Sequence, residues 1–438
     1  MRLSSSAVAG VLGATLALAL EWAASRVDVA VTFAPLALGD RLIRLAPGAA
    51  ATFAIENLGK AASQTLAVAV TLAFVALGTG LPSWTASGDR HRPLAAGIVF
   101  GLALFVASLV APIAPAGPVT AAVAAAAGLL YALSVRWLLH QSASPGAEGP
   151  DVERRRALLL AASSAFGLVL AGSVIGRLVR DRPDAAVAIA EPRIRSPEPA
   201  RNGFPRVPGL SPEITPVADH YVVDIDIVNP SIDVDEWRLR LDGLVDTPGS
   251  MTFAELQQRF EVVEEVSVLT CISNEVGGPL IGNTHWTGVR LRDLLRSAGV
   301  RPGAVDIVFG CADGYDVSIP LARAMQPTAL LAIGQNRRAL TQEHGFPCRV
   351  RVPALYGMMN AKWVESIKVV GANHMGYWAQ RGWSEVGEVR TQSRIDTPGQ
   401  ARVGEPTWIA GVAWAGDREI SRVEVSVDAG PKTLVEEE

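Results

Sequence analysis

Cysteine is scarce in this sequence, whose 438 residues include only Cys271, Cys311 and Cys348. The three are widely spaced and form no CxxC or CxxCH pattern, which argues against a disulfide framework, a structural zinc site and covalently attached c-type haem. An excess of basic residues is also missing, since the net charge is -4, and the chain has no GxGxxG or Walker loop. The sequence therefore favours neither nucleic acid nor a nucleotide as its ligand.

Charged residues are rare in long stretches of the first part of the chain. Five apolar runs there approach the about 20 residues that cross a bilayer, and they begin at Ala7, Gln64, Leu94, Val119 and Ala157. Buried core helices of a soluble protein would not produce so many such runs in series. The sequence predicts an N-terminal transmembrane helical bundle of about five spans over residues 1–180, with an interfacial helix in the mixed segment "GDRLIRLAPGAAATFAIENLGK".

Positive charge flanks alternate connections between these runs. Arg90 and Arg92 precede the third run, Arg136 and Arg154–Arg156 flank the connection between the fourth and fifth runs, and "PIAPAGP" between the third and fourth carries no charge. The positive-inside rule then predicts a multi-pass plasma-membrane protein with a cytoplasmic N-terminus, in which everything after about Arg180 is extracytoplasmic. The consecutive arginines also resemble a twin-arginine export signal, and an ordinary positive-inside flank explains them equally well.

The histidines lie outside the apolar runs, at His91, His140, His220, His285, His344 and His374. Bis-histidine coordination of haem inside the predicted bundle is therefore not expected. We expect this part of the chain to anchor the protein in membrane lipid, or to dock a partner, and to carry no haem.

A Pro-, Ala- and charge-rich linker over residues 181–217 precedes a domain over residues 218–390. The segment "HYVVDIDIV" alternates in polarity and predicts a strand. Thr252 followed by Glu255 predicts a capping box, Gly299 a helix C-cap and Asp313-Gly314 a hairpin turn. Together these signals predict an α+β domain and not a doubly wound one.

The last residues, 391–438, contain short alternating runs separated by turn signals. This pattern is typical of the opening strands of an immunoglobulin-like β-sandwich. The segment is much shorter than the about 100 residues of a complete domain of that type. The sequence therefore predicts an incomplete β-sandwich.

Cys271 directly follows the predicted strand "EEVSVLT", and the long segment "HGFPCRVRVPALYGMMNAKWVESIKVV" comes later in the same domain. With "THWTGVRLRDLL" and "DGYDVSIPLARAM" between them, these segments resemble the sulfite oxidase family of molybdopterin-dependent oxidoreductases, from about Tyr221 to the C-terminus. More narrowly, the chain resembles the membrane-anchored bacterial branch with an extracytoplasmic catalytic domain. The resemblance implies a molybdopterin-binding domain of sulfite oxidase type and a sandwich that forms homodimers when it is complete.

The resemblance implies a specific role for Cys271. In the family, one cysteine thiolate binds the molybdenum of a Mo-pyranopterin cofactor, and soft thiolate suits such a metal. The same match implies that His344, Arg349 and Lys362 hold the pterin phosphate and ring, because guanidinium and ammonium groups bind phosphate. Further implied cofactor contacts are Tyr221, Asp224, Cys311, Asp313 and the backbone of Asn360 and Ala361.

Neighbouring residues are open to more than one interpretation. Arg351 is predicted to face solvent on an edge strand, and Cys348 is predicted to pack in the core. His285 and Trp286 could equally line the pocket or pack. Arg381 is predicted to contribute to catalysis, within an aromatic-basic cluster at the border of a substrate funnel that also includes Tyr377, Trp378 and Trp383.

Two positions depart from the family pattern. Sulfite oxidases bind their dianion with arginines, one of them shortly after the cysteine, and in "CISNEV" that position holds Glu275. A carboxylate there would repel sulfite. The active-site tyrosine of the family is also absent, because "LLAIGQN" places Ile333 at about that position. These departures favour a substrate other than sulfite.

The sequence thus predicts a membrane-anchored molybdenum-pterin oxidoreductase that transfers an oxygen atom to or from a small extracytoplasmic substrate. A separate cytochrome or quinone-linked protein would exchange its electrons. Sulfite oxidation remains open if Arg381 or Arg351 turns into the pocket. Two further possibilities are a thiol hydrolase that uses Cys271 with His285 or His344 and a non-enzymatic membrane scaffold with a degenerate cofactor domain.

Overall fold

The structure, a computed structural model, describes residues 5–28, 31–58, 61–85, 92–110, 117–141, 167, 169, 187–195, 207–227, 229–275, 277–402, 404–428 and 430–435. The chain divides into two compact units. The first comprises Met1–Pro183 with Asp224–Asn229, and the second comprises Asp184–Val223 with Pro230–Glu438.

The first unit is helical. Its described helices are α1 (Ser5–Val27), α2 (Ala34–Leu45), α3 (Gly48–Leu58), α4 (Ala61–Thr85), α5 (Arg92–Leu109) and α6 (Pro118–Gln141). Three stretches are long and apolar enough to cross a membrane, namely Ser6–Val27, Ala61–Pro82 and Pro118–His140. These three helices indicate a membrane protein.

The remaining predictions for this unit have mixed outcomes. The run from Leu94 forms the apolar but shorter helix Pro93–Leu109. The fifth run, from Ala157, lies outside the described residues apart from Gly167 and Val169. The single interfacial helix that we predicted is wrong: the segment forms α2 and α3, with a break at Pro47. Proline disfavours helical geometry at the residue before it and has no N–H for the helix ladder.

Small residues bring α5 and α6 into close contact. A Cβ atom on Gly97 would lie 2.4 Å from the carbonyl oxygen of Gly128 and 2.5 Å from Cβ of Ala132. Nearby, Phe100 and Tyr131 stack with ring centroids 4.7 Å apart. Transmembrane helices commonly associate through such small-residue contacts, because lipid tails provide no hydrophobic force between helices.

The second unit contains two five-stranded sheets. The first has the strand order β2 (Gly249–Thr252), β1 (Arg238–Gly243), β10 (Val364–Val370), β5 (Asp306–Cys311) and β6 (Asp316–Pro320). The second has the order β3 (Val262–Thr270), β4 (Ile281–Arg290), β7 (Leu330–Gln335) and β8 (Arg338–Ala339), and β9 (Arg349–Arg351) also pairs with β7. Among the described strand pairs of these two sheets, β1–β10 is parallel and the others are antiparallel.

The short helices of this unit follow local signals in the sequence. Helix α7 (Phe253–Arg259) has Thr252 as its N-cap. The predicted capping box is present, because the Glu255 N–H donates to Oγ1 of Thr252 over 3.1 Å and the Thr252 N–H donates to the Glu255 carboxylate over 2.8 Å. Helix α8 (Leu291–Ala298) ends at Gly299, whose φ of 69° is left-handed as a C-cap requires. The last helix, α9 (Leu321–Ala324), follows β6. The predicted caps and the α+β character are confirmed.

Two predictions for the second unit need correction. The segment "HYVVDIDIV" is not a strand: a 3-10 turn at Val217–Asp219 leads into backbone that pairs with no strand in the described part of the chain. Alternating polarity predicts a strand only where a neighbouring strand is present to pair with it. The C-terminal part forms two small two-stranded sheets, β11 (Gln392–Thr397) with β12 (Ala410–Trp414) and β13 (Glu424–Val425) with β14 (Thr433–Leu434). A small sheet is therefore what the structure supports here.

Candidate functional site

Cys271 lies immediately after β3, and its side chain is 8% exposed. Its backbone N–H donates to the carbonyl of Leu280 over 2.9 Å, and its carbonyl accepts from the N–H of Asn274 over 3.1 Å. The Asn274 side chain accepts in turn from the N–H of Leu280 over 2.8 Å. These bonds close the loop between β3 and β4 and fix the position of the thiol.

Burial raises the pKa of the Cys271 thiol above its ordinary value, although the hydroxyl and N–H of Ser273 and the N–H of Ile272 lower it. A thiol with a raised pKa is protonated at neutral pH and is a weak nucleophile. Such an environment does not favour a thiol hydrolase. It suits a cysteine that loses its proton only when a metal replaces it.

Tyr221 approaches Cys271 at Gly357. A Cβ atom on Gly357 would lie 2.7 Å from the Tyr221 hydroxyl and 3.8 Å from Cα of Cys271. The Tyr221 hydroxyl is buried and has no hydrogen-bond partner among the described residues. Burial raises the pKa of this phenol well above its usual range, and Cys271 raises it further, whereas Arg349 and Arg351 lower it.

Two buried histidines stand beside this tyrosine. The ring centroids of His220 and His344 are 5.4 Å apart, and His220 stacks on Tyr221 at 5.3 Å. Burial and neighbouring positive charge lower the pKa of His220 to about 3 and that of His344 to about 4. Both rings are therefore neutral at pH 7.

Hydrogen bonds assign the tautomers of these rings. Nε2 of His344 lies 3.2 Å from the carbonyl of Val217, and Nδ1 of His220 lies 3.3 Å from the carbonyl of Tyr221. A nitrogen facing a carbonyl carries the proton. Nε2 of His220 is therefore a bare acceptor, and it is buried without a partner among the described residues.

Two arginines of β9 contact one indole ring. The guanidinium carbons of Arg349 and Arg351 lie 5.2 Å and 5.8 Å from the centroid of the Trp286 ring. Arg349 is 5% exposed and donates to the carbonyls of His344 over 3.1 Å and Asn360 over 3.2 Å. Arg351 is only 1% exposed. Our prediction that Arg351 faces solvent is wrong: residues two apart on a strand share a face, so Arg351 is buried together with Arg349.

The segment after β9 completes the cluster. The Asn360 side chain accepts from the N–H of Val352 over 2.7 Å and donates to the carbonyls of Leu355 and Tyr356. These bonds fix the backbone of Asn360 and the neighbouring Ala361, both of which are buried. Lys362 follows directly and donates to the carbonyl of Glu343 over 2.8 Å.

Gly345 allows Lys362 and Arg349 to converge. Its φ of 103° is left-handed, and a Cβ atom there would lie 2.9 Å from Cβ of Lys362 and 3.2 Å from Cβ of Arg349. The absence of a side chain at this glycine of "HGFP" therefore leaves room for the side chains of Lys362 and Arg349 to start close together. An ammonium and a guanidinium group on neighbouring side chains suit a phosphate group.

Cys311 and Asp313 form a second group, at the turn between β5 and β6. The backbone N–H of Cys311 donates to the carbonyl of Tyr315 over 3.0 Å, and the Asp313 carboxylate accepts from the N–H of Tyr315 over 2.9 Å. This is the predicted hairpin, and the N–H of Ala312 donates to the carbonyl of Trp363 over 2.9 Å. Burial raises the pKa of the Cys311 thiol well above its usual value.

Arg381 lies on an aromatic cluster. Its guanidinium carbon is 3.6 Å from the centroid of the Tyr377 ring, and Tyr377, Trp378 and Trp383 pack in sequence with centroids 5.1 Å and 4.9 Å apart. The predicted aromatic-basic cluster is thus present, and it adjoins Tyr315 at 5.6 Å from Tyr377. Asp224 belongs to the first, helical unit.

The remaining residues that we considered for the pocket are mostly buried. Cys348 is fully buried, as predicted for core packing, and its Sγ lies 3.4 Å from the carbonyl of Val364. Trp286 is also fully buried, and its indole N–H donates to the carbonyl of Ser267 over 3.2 Å. Nδ1 of His285 lies 3.3 Å from the Glu264 carboxylate. Ile333 is fully buried in β7, whereas Glu275 is exposed.

A cavity of about 260 Å³ adjoins the Cys271 loop. Its lining includes Asn274, Gly277 and Ile281 on one side and Gln392, Arg394 and Trp414 of β11 and β12 on the other. Arg394 ties the two sides together, because it donates to the carbonyl of Gly278 over 3.1 Å and to Asp396 over 2.6 Å. Residues that sequence reasoning did not assign to the site are His220, Gly357 and Arg394, whereas it left Trp286 between pocket and core and expected Arg351 to face solvent.

The chemistry of this donor set fits an anionic, hydrogen-bonding group. Arg349 and Lys362 supply positive charge, Cys271 supplies a soft ligand, and the Tyr221 hydroxyl and the His220 acceptor are both buried and unpartnered among the described residues. Buried polar atoms without partners are rare in folded proteins, and a bound ligand, ion or water usually satisfies them. A phosphate-bearing pterin with a thiolate-bound metal meets these requirements.

Comparisons with known proteins agree with this chemistry. Residues 226–378 match the family model described as "Oxidoreductase molybdopterin binding domain". The chain is 33% identical over 156 residues to the "Uncharacterized oxidoreductase YuiH" of Bacillus subtilis (strain 168), a match that covers 36% of this chain and 76% of that protein.

Two larger proteins are also similar. The chain is 31% identical over 288 residues to "Nitrate reductase [NAD(P)H]" of Hordeum vulgare, a match that covers 52% of this chain and 32% of that protein. It is 30% identical over 249 residues to "Sulfite oxidase" of Gallus gallus, covering 46% of this chain and 54% of that protein. The chain thus spans about a third of the nitrate reductase and about half of the sulfite oxidase.

Proposed function

Because the chain belongs to the sulfite-oxidase-like family of molybdopterin-binding oxidoreductases, we propose that it is a membrane-anchored enzyme that transfers an oxygen atom to or from a small extracytoplasmic substrate. The observation that carries this proposal is the cluster around Cys271, in which a buried thiol, two unpartnered polar atoms and buried arginines lie together in the described part of the chain. The bound molybdenum-pterin group would supply the two-electron chemistry.

Each residue of the cluster has a proposed role. The Cys271 thiolate is the proposed metal ligand, positioned by the closed loop between β3 and β4. Arg349 and Lys362 are proposed to bind the pterin phosphate. The Tyr221 hydroxyl and Nε2 of His220 are proposed to form hydrogen bonds with the pterin. His344, which is neutral, supports the backbone at Val217.

The proposed substrate is not sulfite. Glu275 provides a carboxylate where the family has an arginine, and the buried Ile333 provides no hydroxyl. Arg351 bonds to backbone and amide oxygens instead of turning outward, and Arg381 lies on Tyr377. Substrate is proposed to approach through the cavity between the Cys271 loop and β11–β12. Arg381 and its aromatic neighbours are not among the residues that line this cavity, and Trp378 lines a separate one of about 110 Å³.

The anchoring and the electron partner are part of the proposal. The three long apolar helices support a membrane anchor, and the arginine distribution supports a cytoplasmic N-terminus with the catalytic unit outside the cytoplasm. Electrons would pass to a separate cytochrome or quinone-linked protein, since the sequence shows no haem attachment pattern. A homodimer through the C-terminal strands is proposed by family analogy alone.

The test is the metal content of the full-length protein, purified in detergent from a host that makes the cofactor. We expect close to one molybdenum per chain in the parent and almost none in Cys271→Ala. Cys348→Ala is the matched control, because it also removes a buried thiol, one that packs in the core, and should retain the metal. A parent without molybdenum and without pterin fluorescence would contradict the proposed enzyme and leave the non-enzymatic scaffold.

A further inference from the structure

Arg351 is a buried charge with neutral partners. It donates to the carbonyl of Val352 over 2.8 Å, to Oδ1 of Asn360 over 3.1 Å and to the carbonyl of Val268. Its Nε has no partner among the described residues, and no described carboxylate lies within ion-pair distance of it. These acceptors satisfy hydrogen bonds, but none of them neutralises the charge.

The charge persists at neutral pH. Burial and the neighbouring Arg349 lower the pKa of Arg351 to about 9, which still leaves the guanidinium protonated at pH 7. A buried charge is strongly unfavourable unless it is paired. A folded protein that retains such a charge therefore needs a compensating anion nearby.

The position of Arg351 identifies where that anion belongs. Val268 lies on β3, three residues before Cys271. Three residues of extended chain span about 10 Å. Cys271 raises the pKa of the Tyr221 phenol and Arg351 lowers it. The Tyr221 hydroxyl and Cα of Cys271 both lie near Gly357. The guanidinium also shares the Trp286 ring with Arg349. Arg351 thus contacts β3, the strand that leads to Cys271, and lies in the wall of the cluster.

We propose that Arg351 is a positioning residue whose permanent positive charge stabilises the thiolate of Cys271 and the anionic sulfur ligands around the metal, and thereby raises the reduction potential of the bound molybdenum. This inference rests on the proposed function. Each electron that a reductant adds to the metal increases the negative charge there. A fixed positive charge in a low-dielectric wall favours that reduced form.

A purely structural role would have different consequences. Arg351 also ties β3 to the segment after β9, so its removal could act through lost hydrogen bonds alone. Arg351→Lys keeps the charge and loses the planar fork, whereas Arg351→Gln keeps a donor and loses the charge. If the charge matters, the lysine variant resembles the parent. If the hydrogen-bonded fork matters, the two variants behave alike.

The experiment is a redox titration of the full-length, molybdenum-loaded protein with dithionite as electron donor, followed by the EPR signal of the half-reduced metal. Arg351→Gln is expected to disfavour one-electron reduction by about tenfold, which is about 59 mV for a one-electron couple. Arg351→Lys should change the equilibrium by less than about threefold. Arg301→Gln is the control, because Arg301 is half-exposed and paired with Asp246 at 2.9 Å.

Molybdenum content, measured on the same samples, distinguishes an effect of the charge from a loss of structure. Retention of metal by the lysine variant and its loss from the glutamine variant would support the inference. Equal potentials in Arg351→Gln and the parent would overturn it, as would equal metal loss from both variants. A parent without molybdenum would overturn the proposed function and, with it, this inference.

Discussion

A Cβ atom on Gly357 would lie 2.7 Å from the hydroxyl oxygen of Tyr221, so the tyrosine occupies the space that any larger residue at position 357 would need. Gly357→Ala should therefore displace Tyr221, lower stability by about 1–3 kcal/mol as overpacking does and reduce molybdenum content. Gly249→Ala is the matched control, because no described atom lies within 4 Å of its added methyl. Metal content equal to that of the parent in both variants would contradict the close fit.

The unpartnered hydroxyl of Tyr221 leads to a second prediction. In cofactor-free protein, Tyr221→Phe should leave stability unchanged or raise it by about 1 kcal/mol, because it removes a buried hydroxyl that has no partner among the described residues. Tyr315→Phe is the contrasting variant, since its hydroxyl donates to the carbonyl of Met358 over 2.6 Å. It should lose about 1 kcal/mol or more.

Thermal unfolding of the full-length protein, followed by tryptophan fluorescence, measures both tyrosine variants. In protein loaded with cofactor, the Tyr221 hydroxyl should be useful instead of unfavourable. Tyr221→Phe should therefore retain less molybdenum than the parent. A loss of stability in cofactor-free Tyr221→Phe as large as that in Tyr315→Phe would show that the hydroxyl has a partner after all.

The neutral histidines make stability depend on pH. The pKa values of His220 and His344 in the folded protein, about 3 and about 4, lie below the unfolded value of about 6.5. The unfolded chain therefore binds more protons between pH 4 and 6.5, and the free energy of unfolding falls as the pH falls through that window. Each histidine contributes at most about 1.4 kcal/mol per pH unit.

The variant that tests this pH dependence is His220→Gln in cofactor-free protein. Its stability should decline less steeply than that of the parent between pH 6.5 and pH 4, as measured by denaturant unfolding at several pH values. Parallel pH profiles for the two proteins would mean that His220 is already protonated in the folded state.

Close packing of α5 on α6 predicts a distinct effect in the helical unit. Gly128→Ala places a methyl group 2.5 Å from the carbonyl oxygen of Gly97, so the helices must separate. We expect lower thermal stability in detergent and a smaller monodisperse yield. Gly80→Ala in α4 is the control, because its added methyl meets no described atom within 4 Å. Similar losses in both variants would contradict the close contact as the cause, because alanine is a better helix former than glycine at either position.

Local signals in the sequence were sufficient for local structure. The capping box at Thr252, the C-cap at Gly299 and the hairpin at Asp313-Gly314 each depend on residues within a few positions of one another. The family resemblance placed Cys271, Tyr221, His344 and Arg349 at one site, and the structure brings these four together.

The features that sequence reasoning missed depend on distant parts of the chain. Arg351 is buried because Trp286, Val268 and Asn360 surround its guanidinium, and those residues come from three separate segments. The strand predicted after His220 fails because none of the described strands pairs with it. The period-two pattern could have indicated that Arg349 and Arg351 share a face, but not that both faces of β9 are buried.

The unpartnered groups around Cys271 also affect how much of this protein a cell would contain. Without cofactor, the Tyr221 hydroxyl, the His220 acceptor and the Arg351 charge all reduce the stability of the second unit, and a ligand that binds only the folded form raises it. Proteases remove chains according to the fraction that is unfolded. We therefore expect the protein's abundance to rise and fall with the supply of molybdenum, without any change in its transcription.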